Sequence, residues 1–263
     1  MIGPHEHAPT DVSVRLDPAQ FYTGIVAECY APLRGSAPDP NIYARFIATS
    51  GEPALELGCG DGDPLIDLRL RGILVEGLDS SADMLHRAQR RADAHGLQVR
   101  LHCSTIEAMQ LGQTYRSIFL AGPTFNLIID DTLAQRSLDN IAAHLTTGGR
   151  ALVPLFIPQP LPPQVFGVWR EHTSDDGILM RFQIVDEKLD AKTQTQVTTT
   201  RYELTRDGVT STVDRPWMIH WHTQAGFSAM VAKAGLLVHS IVNNNGGPAV
   251  PDDTGFTFRV TKP

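Results

Sequence analysis

Residues 56–62 read E-L-G-C-G-D-G. They overlap the end of a short, mainly apolar run, A-L-E-L-G, at residues 54–58. An apolar run of this length that ends in glycine is typical of a buried strand, and residues 64–71 then have a helical pattern. Glycine lets the backbone approach a ligand closely and adopt positive φ values. A glycine-rich turn between a strand and a helix is where α/β sheets bind nucleotides. The turn therefore predicts a nucleotide-like ligand beside Gly58 and Gly60.

The segments around this turn alternate between strand and helix patterns. Apolar runs predict strands at residues 54–58, 73–79, 99–103, 115–122 and 150–157, with later strands at 236–242 and 256–260. Helical patterns lie between them at residues 64–71, 81–95 and 131–145, and again at 223–234. Regular alternation of this kind predicts an α/β fold, a Rossmann-like doubly wound parallel sheet of seven strands with helices on both faces.

Residues 158–222 interrupt the alternation. A proline-rich stretch is followed by Thr- and Val-rich segments in which polar and apolar residues alternate, with a hairpin signal at Asp207-Gly208. These features predict three or four antiparallel strands inserted after the fifth strand. The predicted organisation is an arm at 1–18, a core at 19–157 and 223–263 with an N-terminal helical lid, and the antiparallel insertion at 158–222.

Composition narrows the class of protein. The 263 residues carry a formal net charge of −7, which argues against a nucleic-acid partner because phosphate binding calls for a basic surface. No apolar run is long enough to span a membrane, and the N-terminus lacks the features of a signal peptide. The three cysteines form no C-x-x-C pair, and His5-Glu6-His7 has no recognisable third ligand, so no metal site is predicted. We expect a cytoplasmic protein with no membrane partner.

The spacing of the glycines distinguishes between nucleotide-like ligands. The dinucleotide fingerprint G-x-G-x-x-G would need a third glycine at position 63, which is Asp63. The observed pattern is E-x-G-x-G-x-G. This pattern resembles motif I of the class I S-adenosylmethionine-dependent methyltransferases.

The resemblance implies a set of cofactor-binding residues. In that family an acidic residue at the end of the second strand binds both ribose hydroxyls, and Asp79 occupies this position. A hydrophobic residue, here Met84, then packs against the adenine. Thr105 stands where the family usually has Asp at the adenine edge. The full set of residues implied to bind S-adenosylmethionine is Tyr30, Arg34, Glu56, Gly58, Cys59, Gly60, Asp79, Ser80, Met84, Thr105, Ile106, Leu120 and Ala121.

Within the family, the chain most resembles small-molecule methyltransferases of natural-product tailoring, including amino-sugar N-methyltransferase-like enzymes. Their N-terminal helix carries an A-x-x-Y pattern, matched by residues 27–30, and a following arginine, here Arg34, helps to hold the cofactor carboxylate. They also insert antiparallel strands after the fifth strand, matched by residues 158–222. The resemblance implies that this insertion covers a small-molecule substrate and can form a homodimer contact.

Methyl transfer from a sulfonium is an in-line displacement, in which the enzyme aligns the acceptor and excludes water. A hydroxyl or carbon acceptor benefits from a base, whereas an amine only has to lose its proton. His220 and His222 share one strand face, and we predict His220 as the base. Tyr22 is predicted to position a polar acceptor. Phe125 is a further pocket candidate, although ordinary packing would explain it equally well. Arg181 and Arg201 could bind a carboxylate or phosphate, but a solvated face of the sheet explains them better.

Two hypotheses from other functional classes remain open. A nicotinamide-dependent oxidoreductase is disfavoured by Asp63, and a non-catalytic nucleoside-binding relative is disfavoured by the intact pattern of Glu56, Gly58, Gly60 and Asp79. Among methyltransferases, an RNA or protein substrate is disfavoured by the acidic charge and by A-G-P-T-F-N after the fourth strand. The cofactor motifs do not distinguish N- from O- or C-methylation.

Overall fold

The computed structural model describes residues 21–263. The predicted arm at residues 1–18, with His5-Glu6-His7, lies outside the described residues. In the described part, no helix is long and apolar enough to cross a membrane.

The described chain contains six α-helices and eleven β-strands. The helices are α1 (Ile25–Leu33), α2 (Pro40–Ser50), α3 (Leu65–Leu70), α4 (Ala82–Ala94), α5 (Asp131–His144) and α6 (Gln224–Lys233). The strands are β1 (Ala54–Leu57), β2 (Val75–Asp79), β3 (Leu101–Cys103), β4 (Tyr115–Phe119), β5 (Leu145–Phe156), β6 (Arg170–Thr173), β7 (Leu179–Asp190), β8 (Thr195–Arg206), β9 (Val209–His220), β10 (Leu237–Asn243) and β11 (Gly255–Thr261).

Seven strands form the central sheet, in the order β10-β11-β5-β4-β1-β2-β3. Strands β1 to β5 pair in parallel, whereas β11 is antiparallel to both β5 and β10. The strand order reverses between β1 and β4, because the chain first winds outwards to β3 and then returns to the other side of β1. In open α/β sheets a ligand binds at such a reversal, beyond the carboxyl ends of the strands. The glycine-rich turn that follows β1 therefore lies at this position.

Side-chain caps fix where the core helices begin. Ser81 accepts a hydrogen bond from the Met84 N–H, Asp130 accepts one from Leu133, and Thr223 accepts one from Gly226. Each cap satisfies one of the N–H groups that a helix start leaves without an intrahelical partner. Strand β1 is buried along its whole length, which explains its three apolar residues, and Glu56 is the one ionisable side chain within it.

The insertion forms a separate four-stranded antiparallel sheet, ordered β6-β7-β8-β9. The turn between β8 and β9 is Asp207-Gly208, and both residues have positive φ (51° and 77°), as the hairpin signal predicted. Helix α1 packs against this sheet through Cys29 and Leu33, which contact Met180 and Leu204.

One buried side chain, Asn126, connects the strand that precedes the insertion with the last strand of the insertion. The Nδ2 atom of Asn126, after β4, donates to the carbonyl oxygens of Phe156 (3.0 Å) and His220 (3.1 Å). Its Oδ1 atom accepts a bond from the Phe156 N–H at 3.2 Å. Phe156 ends β5, before the insertion, and His220 ends β9, the last inserted strand. The chain therefore leaves the core and returns to it at neighbouring points.

The structure confirms the predicted fold class and differs from the sequence prediction in detail. The helices and strands of the core lie within a few residues of their predicted bounds, and the insertion has four strands. The main correction concerns the sheet itself, which was expected to be parallel and contains the reversed strand β11. The alternation of strand and helix carries no signal for this reversal, because β11 follows β10 directly without an intervening helix.

Candidate active site

The glycine-rich turn after β1 is built by close backbone approach. Gly58 has φ +69°, and a Cβ atom there would lie 2.5 Å from Cγ2 of Thr124. The N–H groups of Gly58 and Cys59 both donate to the Leu78 carbonyl, at 2.7 and 3.0 Å. A side chain at position 58 is therefore excluded both by backbone conformation and by space.

Asp79 closes the turn from the neighbouring strand. Its two carboxylate oxygens each accept a backbone hydrogen bond of 2.8 Å, one from Gly60 and one from Ser81. Burial raises the pKa of Asp79, although backbone N–H donors act in the opposite direction. Each oxygen keeps a second lone pair, so the carboxylate can still accept bonds from two neighbouring hydroxyls.

A cavity of about 740 Å³ lies between this turn and the start of α5. This volume is in the range of about 300–1,000 Å³ that is usual for small-molecule sites. The side chains and backbone that line it are Tyr22, Tyr30, Gly58, Gly60, Leu78, Asp79, Ser80, Met84, Ser104, Thr105, Ile106, Glu107, Thr124, Leu127, Ile128, Ile129, Asp130 and Leu133. We call this space the turn cavity.

The turn cavity brings together most of the residues that the sequence associated with the cofactor. Those that line it are Tyr30, Gly58, Gly60, Asp79, Ser80, Met84, Thr105 and Ile106. Five others do not line it. Glu56, Cys59 and Leu120 are fully or almost fully buried, Ala121 packs against a core cluster, and Arg34 lines a neighbouring cavity.

Glu56 is a buried carboxyl group without a hydrogen-bond partner among the described residues. It is fully buried on β1, two residues before Gly58, and neither carboxylate oxygen is bonded. Burial, together with the nearby carboxylates Asp63, Asp79 and Asp61, raises its pKa well above the ordinary value. An orphaned buried carboxyl of this kind is costly unless a ligand supplies donors or a positive charge. The amino group of S-adenosylmethionine fits that requirement.

Arg34 is engaged by two acidic residues of the glycine-rich turn. It is hydrogen-bonded to Asp63 and lies 3.6 Å from Asp61, and Arg91 pairs with the same two carboxylates from the other side. Its guanidinium also lies 5.5 Å from the Tyr30 ring centre. For Asp63 the bonds to the two arginines outweigh burial, and its pKa lies below the ordinary value. The predicted contact of Arg34 with a cofactor carboxylate would have to share its guanidinium with these partners.

A second cavity, of about 590 Å³, adjoins the first. It lies between the N-terminal segment, the end of β5 and the inserted sheet, and we call it the sheet cavity. Its lining consists of Phe21, Tyr22, Cys29, Tyr30, Leu33, Arg34, Phe156, Ile157, Pro158, Gln159, Leu161, Arg170, Phe182, Ile184, Gln196, Thr198, Thr200, Tyr202, Trp217, Asn244, Thr254 and Gly255. Tyr22 and Tyr30 line both cavities, so their rings form the boundary between them.

Tyr22 is held in place from the core side. The Ser81 hydroxyl donates to the Tyr22 carbonyl at 2.6 Å, and the rings of Tyr22 and Tyr30 meet edge to face at 5.5 Å. Burial raises the pKa of both phenols above the ordinary value. Both groups therefore stay protonated at neutral pH, as hydroxyls that donate or accept hydrogen bonds.

Strand β8 presents a polar face to the sheet cavity. Gln196, Thr198 and Thr200 alternate along the strand, line the cavity, and are each less than 5% exposed. Aromatic rings, among them Phe182 and Trp217, form other parts of the wall. Buried polar groups beside aromatic surface are suited to a ligand that has both hydroxyl or amine groups and apolar faces.

His220 and His222 lie outside the linings of both cavities. The Nδ1 atom of His220 faces the Gln194 carbonyl at 3.0 Å, and its Nε2 atom lies 3.0 Å from Oδ1 of Asp131. The His222 ring packs between Phe125 and Phe227. Burial, followed by the proximity of His220, lowers the pKa of His222 to about 4.

The other pocket candidates, Phe125, Arg181 and Arg201, contact other parts of the protein. Phe125 is fully buried in the main core. Arg181 stacks over Trp169 at 4.1 Å and pairs with Glu203, and Arg201 makes two 2.7 Å bonds to Asp214. Pairing across neighbouring strands of the inserted sheet thus accounts for both arginines. None of the three lines either cavity.

Sequence reasoning missed two residues of interest. Thr124 lies against Gly58 and lines the turn cavity, but a single threonine after a strand carries no signal. Asp131 lies beside His220, 89 positions away in sequence. Since Asp130 makes the cap of α5, Asp131 is left for another contact.

Comparisons with known proteins found a matching family and several structures with a similar fold. Residues 54–149 match the family described as a methyltransferase domain. A search of curated proteins found no match. The solved structures that resemble the chain include the CcbJ methyltransferase from Streptomyces caelestis, with 21% identity, a TM-score of 0.70, and coverage of 89% of this chain and 95% of that one.

Two further structures extend the comparison. CalS10, an amino pentose methyltransferase from Micromonospora echinaspora, has 18% identity and a TM-score of 0.64, over 92% of this chain and 98% of its own. DesVI from Streptomyces venezuelae has 20% identity and a TM-score of 0.65, over 94% and 99%. At these identities the likeness concerns the fold.

The matched domain and the seven-stranded fold define the class of protein. The chain is an S-adenosylmethionine-dependent methyltransferase with a Rossmann-like core. The matched segment runs from β1 to the first half of β5 and contains the glycine-rich turn and Asp79.

Proposed function

We propose that the enzyme methylates a nitrogen or oxygen atom of a small molecule bound in the sheet cavity, with S-adenosylmethionine bound in the turn cavity. The same cofactor can also methylate a carbon atom, which is the third kind of acceptor in this proposal. The observation that carries the proposal is the shared wall: Tyr22 and Tyr30 line both cavities, so an acceptor in one lies next to a cofactor in the other.

The chain's own residues would bind the cofactor as follows. S-adenosylmethionine, when bound, supplies an activated methyl group. Asp79 would accept the ribose hydroxyls, and Met84 and Ile106 would contact the adenine. Glu56 and the backbone of the glycine-rich turn would face the methionine end. Of the thirteen residues implied by the resemblance, the eight that line the turn cavity support this arrangement most directly.

The acceptor would be a compact hydroxylated molecule, and an amino sugar fits best. On the buried polar face of β8, Gln196 already donates to Glu187 and Thr200 to the Arg215 carbonyl. Thr198 and the remaining lone pairs would bond the substituents of a sugar, and aromatic rings would cover its apolar faces. The CalS10 structure is described as an amino pentose methyltransferase, and KedS8, another structure with this fold, as a sugar N-methyltransferase. A role in natural-product biosynthesis is part of this proposal.

Residues 158–222 would act as a cap on the acceptor, and the segment containing α1 would act as a lid. Arg206 pairs with Glu28 at 2.9 Å, and Arg170 donates to the Leu33 carbonyl at 3.0 Å, so the inserted sheet holds α1 over the cavity. Closed cavities exclude water, which competes with the acceptor for the methyl group. Because its phenol stays protonated, Tyr22 would position the acceptor and would not remove its proton.

The role of His220 as a general base remains a prediction. Both ring nitrogens face partners and the side chain lines neither cavity, so the geometry supports Tyr22 more strongly. If His220 is the base, His220→Ala should lower turnover about 10²-fold and leave cofactor affinity within about twofold. Steady-state kinetics combined with calorimetry measure both quantities. Unchanged turnover in a folded variant would rule the role out.

A homodimer through the inserted sheet is also proposed. Strand β6 is an edge strand with all four residues exposed, which leaves its outer backbone groups open for pairing. Light scattering after size-exclusion chromatography gives the mass directly. A monomer at all concentrations tested would contradict this part of the proposal.

The main experiment is a transfer assay with a panel of amino sugars and related hydroxylated amines, read by mass spectrometry as the gain of one methyl group. Tyr22→Phe is the informative variant and Tyr43→Phe, in the core beside Phe119, is the matched control. We expect transfer to at least one member of the panel, with a raised KM for Tyr22→Phe only. Failure to bind S-adenosylhomocysteine in calorimetry would overturn the cofactor assignment, whereas binding without transfer to any small molecule would overturn the acceptor class.

A further inference from the structure

An aspartate and a pair of histidines from distant parts of the sequence meet where the inserted sheet rejoins the core. Asp131 is the first residue of α5, His220 ends β9, and His222 follows two residues later. One potential ligand atom from each residue lies within 4.8 Å of the others. The sequence contains no signal for this cluster, because the carboxylate is far from the H-x-H pair.

The contacts of His220 call for a proton or a metal ion between its ring and Asp131. A carbonyl oxygen only accepts hydrogen bonds, so the Gln194 carbonyl, 3.0 Å away, fixes a proton on Nδ1 of His220. In the neutral ring, Nε2 then carries a lone pair that points at Oδ1 of Asp131, 3.0 Å away. Two acceptors at this distance repel each other unless a proton or a metal ion lies between them.

His222 makes the metal ion the better explanation. Its Nδ1 atom lies 3.7 Å from the same Asp131 oxygen, which is too long for a hydrogen bond. Its ring is 4% exposed, and coordination through Nδ1 would leave the ring proton on Nε2, which has no hydrogen-bond partner among the described residues. A proton on His220 would satisfy one pair and leave His222 unexplained, whereas a metal ion would use both rings and the carboxylate.

The distances also fit a small divalent ion. Ligand atoms bound tetrahedrally to one zinc ion at about 2.0–2.2 Å lie roughly 3.3–3.6 Å apart. The two measured separations, 3.0 and 3.7 Å, bracket this value. The Asp131 side chain is 77% exposed, so solvent reaches the cluster and can supply a fourth ligand. The bond from His220 to the Gln194 carbonyl is the kind of outer contact that orients a metal-bound imidazole.

We propose that Asp131, His220 and His222 bind a divalent transition-metal ion such as Zn²⁺, which fastens the end of the inserted sheet to the start of α5. The site is independent of the proposed acceptor. A metal bound at Nε2 of His220 would block that atom as a base, so this assignment and the general-base prediction exclude each other.

The test uses the full-length, untagged protein, dialysed against a chelator and titrated with ZnCl₂ and CoCl₂. We expect one equivalent of Zn²⁺ to bind by calorimetry, and bound Co²⁺ to show the visible absorption of a low-symmetry, four-coordinate site. Thermal unfolding should shift upwards with Zn²⁺, because a ligand that binds only the folded state stabilises it.

Variants locate the site. Asp131→Asn changes an exposed side chain and should fold normally, yet it should weaken Zn²⁺ binding at least tenfold; His220→Gln should do the same. His239→Gln, at an exposed histidine on β10, is the matched control and should bind normally. The double variant His5→Ala/His7→Ala should also retain the site. The proposal is wrong if the dialysed protein binds no Zn²⁺, if Asp131→Asn binds as tightly as the unaltered chain, or if only the His5/His7 variant loses binding.

Discussion

The proposed role of Asp79 is to bind both ribose hydroxyls of the cofactor through one carboxylate. Its oxygens take one bond each from Gly60 and Ser81 and keep lone pairs for the ribose. Asp79→Ala should weaken binding of S-adenosylmethionine by about 1.5–3 kcal/mol, roughly ten- to a hundredfold, because two hydroxyls lose a charged partner. Calorimetry measures the change. Asp67→Ala, at an exposed position on α3, is the control, and an unchanged affinity in folded Asp79→Ala would remove Asp79 from the site.

Glu56 should affect stability and binding in opposite directions. Because its folded-state pKa is raised, the stability associated with its protonated form is present below about pH 4.5, the ordinary pKa, and is lost as pH rises towards the folded value. Glu56→Gln removes this loss. We expect the cofactor-free variant to be at least as stable as the original at neutral pH, with a flatter pH dependence of the unfolding free energy above about pH 4.5.

The same substitution should weaken S-adenosylmethionine binding about tenfold, since a neutral amide replaces a group that can pair with the cofactor's ammonium. Denaturant unfolding at several pH values and calorimetry give the two readouts. Glu171→Gln, an exposed glutamate on β6, should change neither. A variant that is destabilised at neutral pH and binds the cofactor normally would show that Glu56 serves packing alone.

At the scale of elements, Asn126 connects β5, β9 and the loop after β4. The side chain is fully buried and makes three hydrogen bonds to Phe156 and His220. Asn126→Ala should lower the free energy of unfolding by about 2–4 kcal/mol, because it leaves buried backbone groups unpaired. Chemical denaturation tests this. Asn245→Ala, at an exposed turn, should stay within about 0.5 kcal/mol, and an equally small effect at Asn126 would contradict its proposed role.

The periodicity of the sequence predicted the helices and strands, but it could not predict the contacts between them. Local patterns of apolar residues and caps placed β1, α4 and the Asp207-Gly208 hairpin, since each signal lies within a few residues of its effect. The cavities depend on contacts between distant segments, such as Thr124 against Gly58. The pairing of Arg201 with Asp214 likewise depends on the register of β8 and β9, which alternation alone does not fix.

The sequence predicted only those residues of the candidate site that belong to a recognisable family motif. Gly58, Gly60, Asp79 and Met84, which the resemblance groups around the cofactor, line one cavity, and their contacts with the cofactor stay a prediction. Cys59 and Leu120 follow the same motifs but are buried, since neighbouring residues on a strand or tight turn face opposite sides. For His220, the pattern placed two rings on one face and contained no information about Asp131.

At the scale of the whole molecule, ligand binding should appear as a change in thermal stability. S-adenosylhomocysteine at about a hundred times its dissociation constant should add about 2.7 kcal/mol, or roughly 5–10 °C in Tm for a chain of this size. Differential scanning fluorimetry measures the shift. NADH at the same concentration is the control, and a comparable shift with NADH alone would favour a nicotinamide-dependent oxidoreductase.

The bonds of Asn126 also bear on how such an enzyme changes over evolutionary time. Segments whose two ends leave a domain at adjacent points can be lengthened, shortened or exchanged with little disturbance to the rest of the chain. In this protein the side-chain amide of Asn126 donates to the carbonyl oxygens of Phe156 and His220, which flank the stretch from residue 157 to 219. Lineages could therefore remodel that stretch, which we propose covers the acceptor, while the part that carries Gly58 and Asp79 is inherited unaltered.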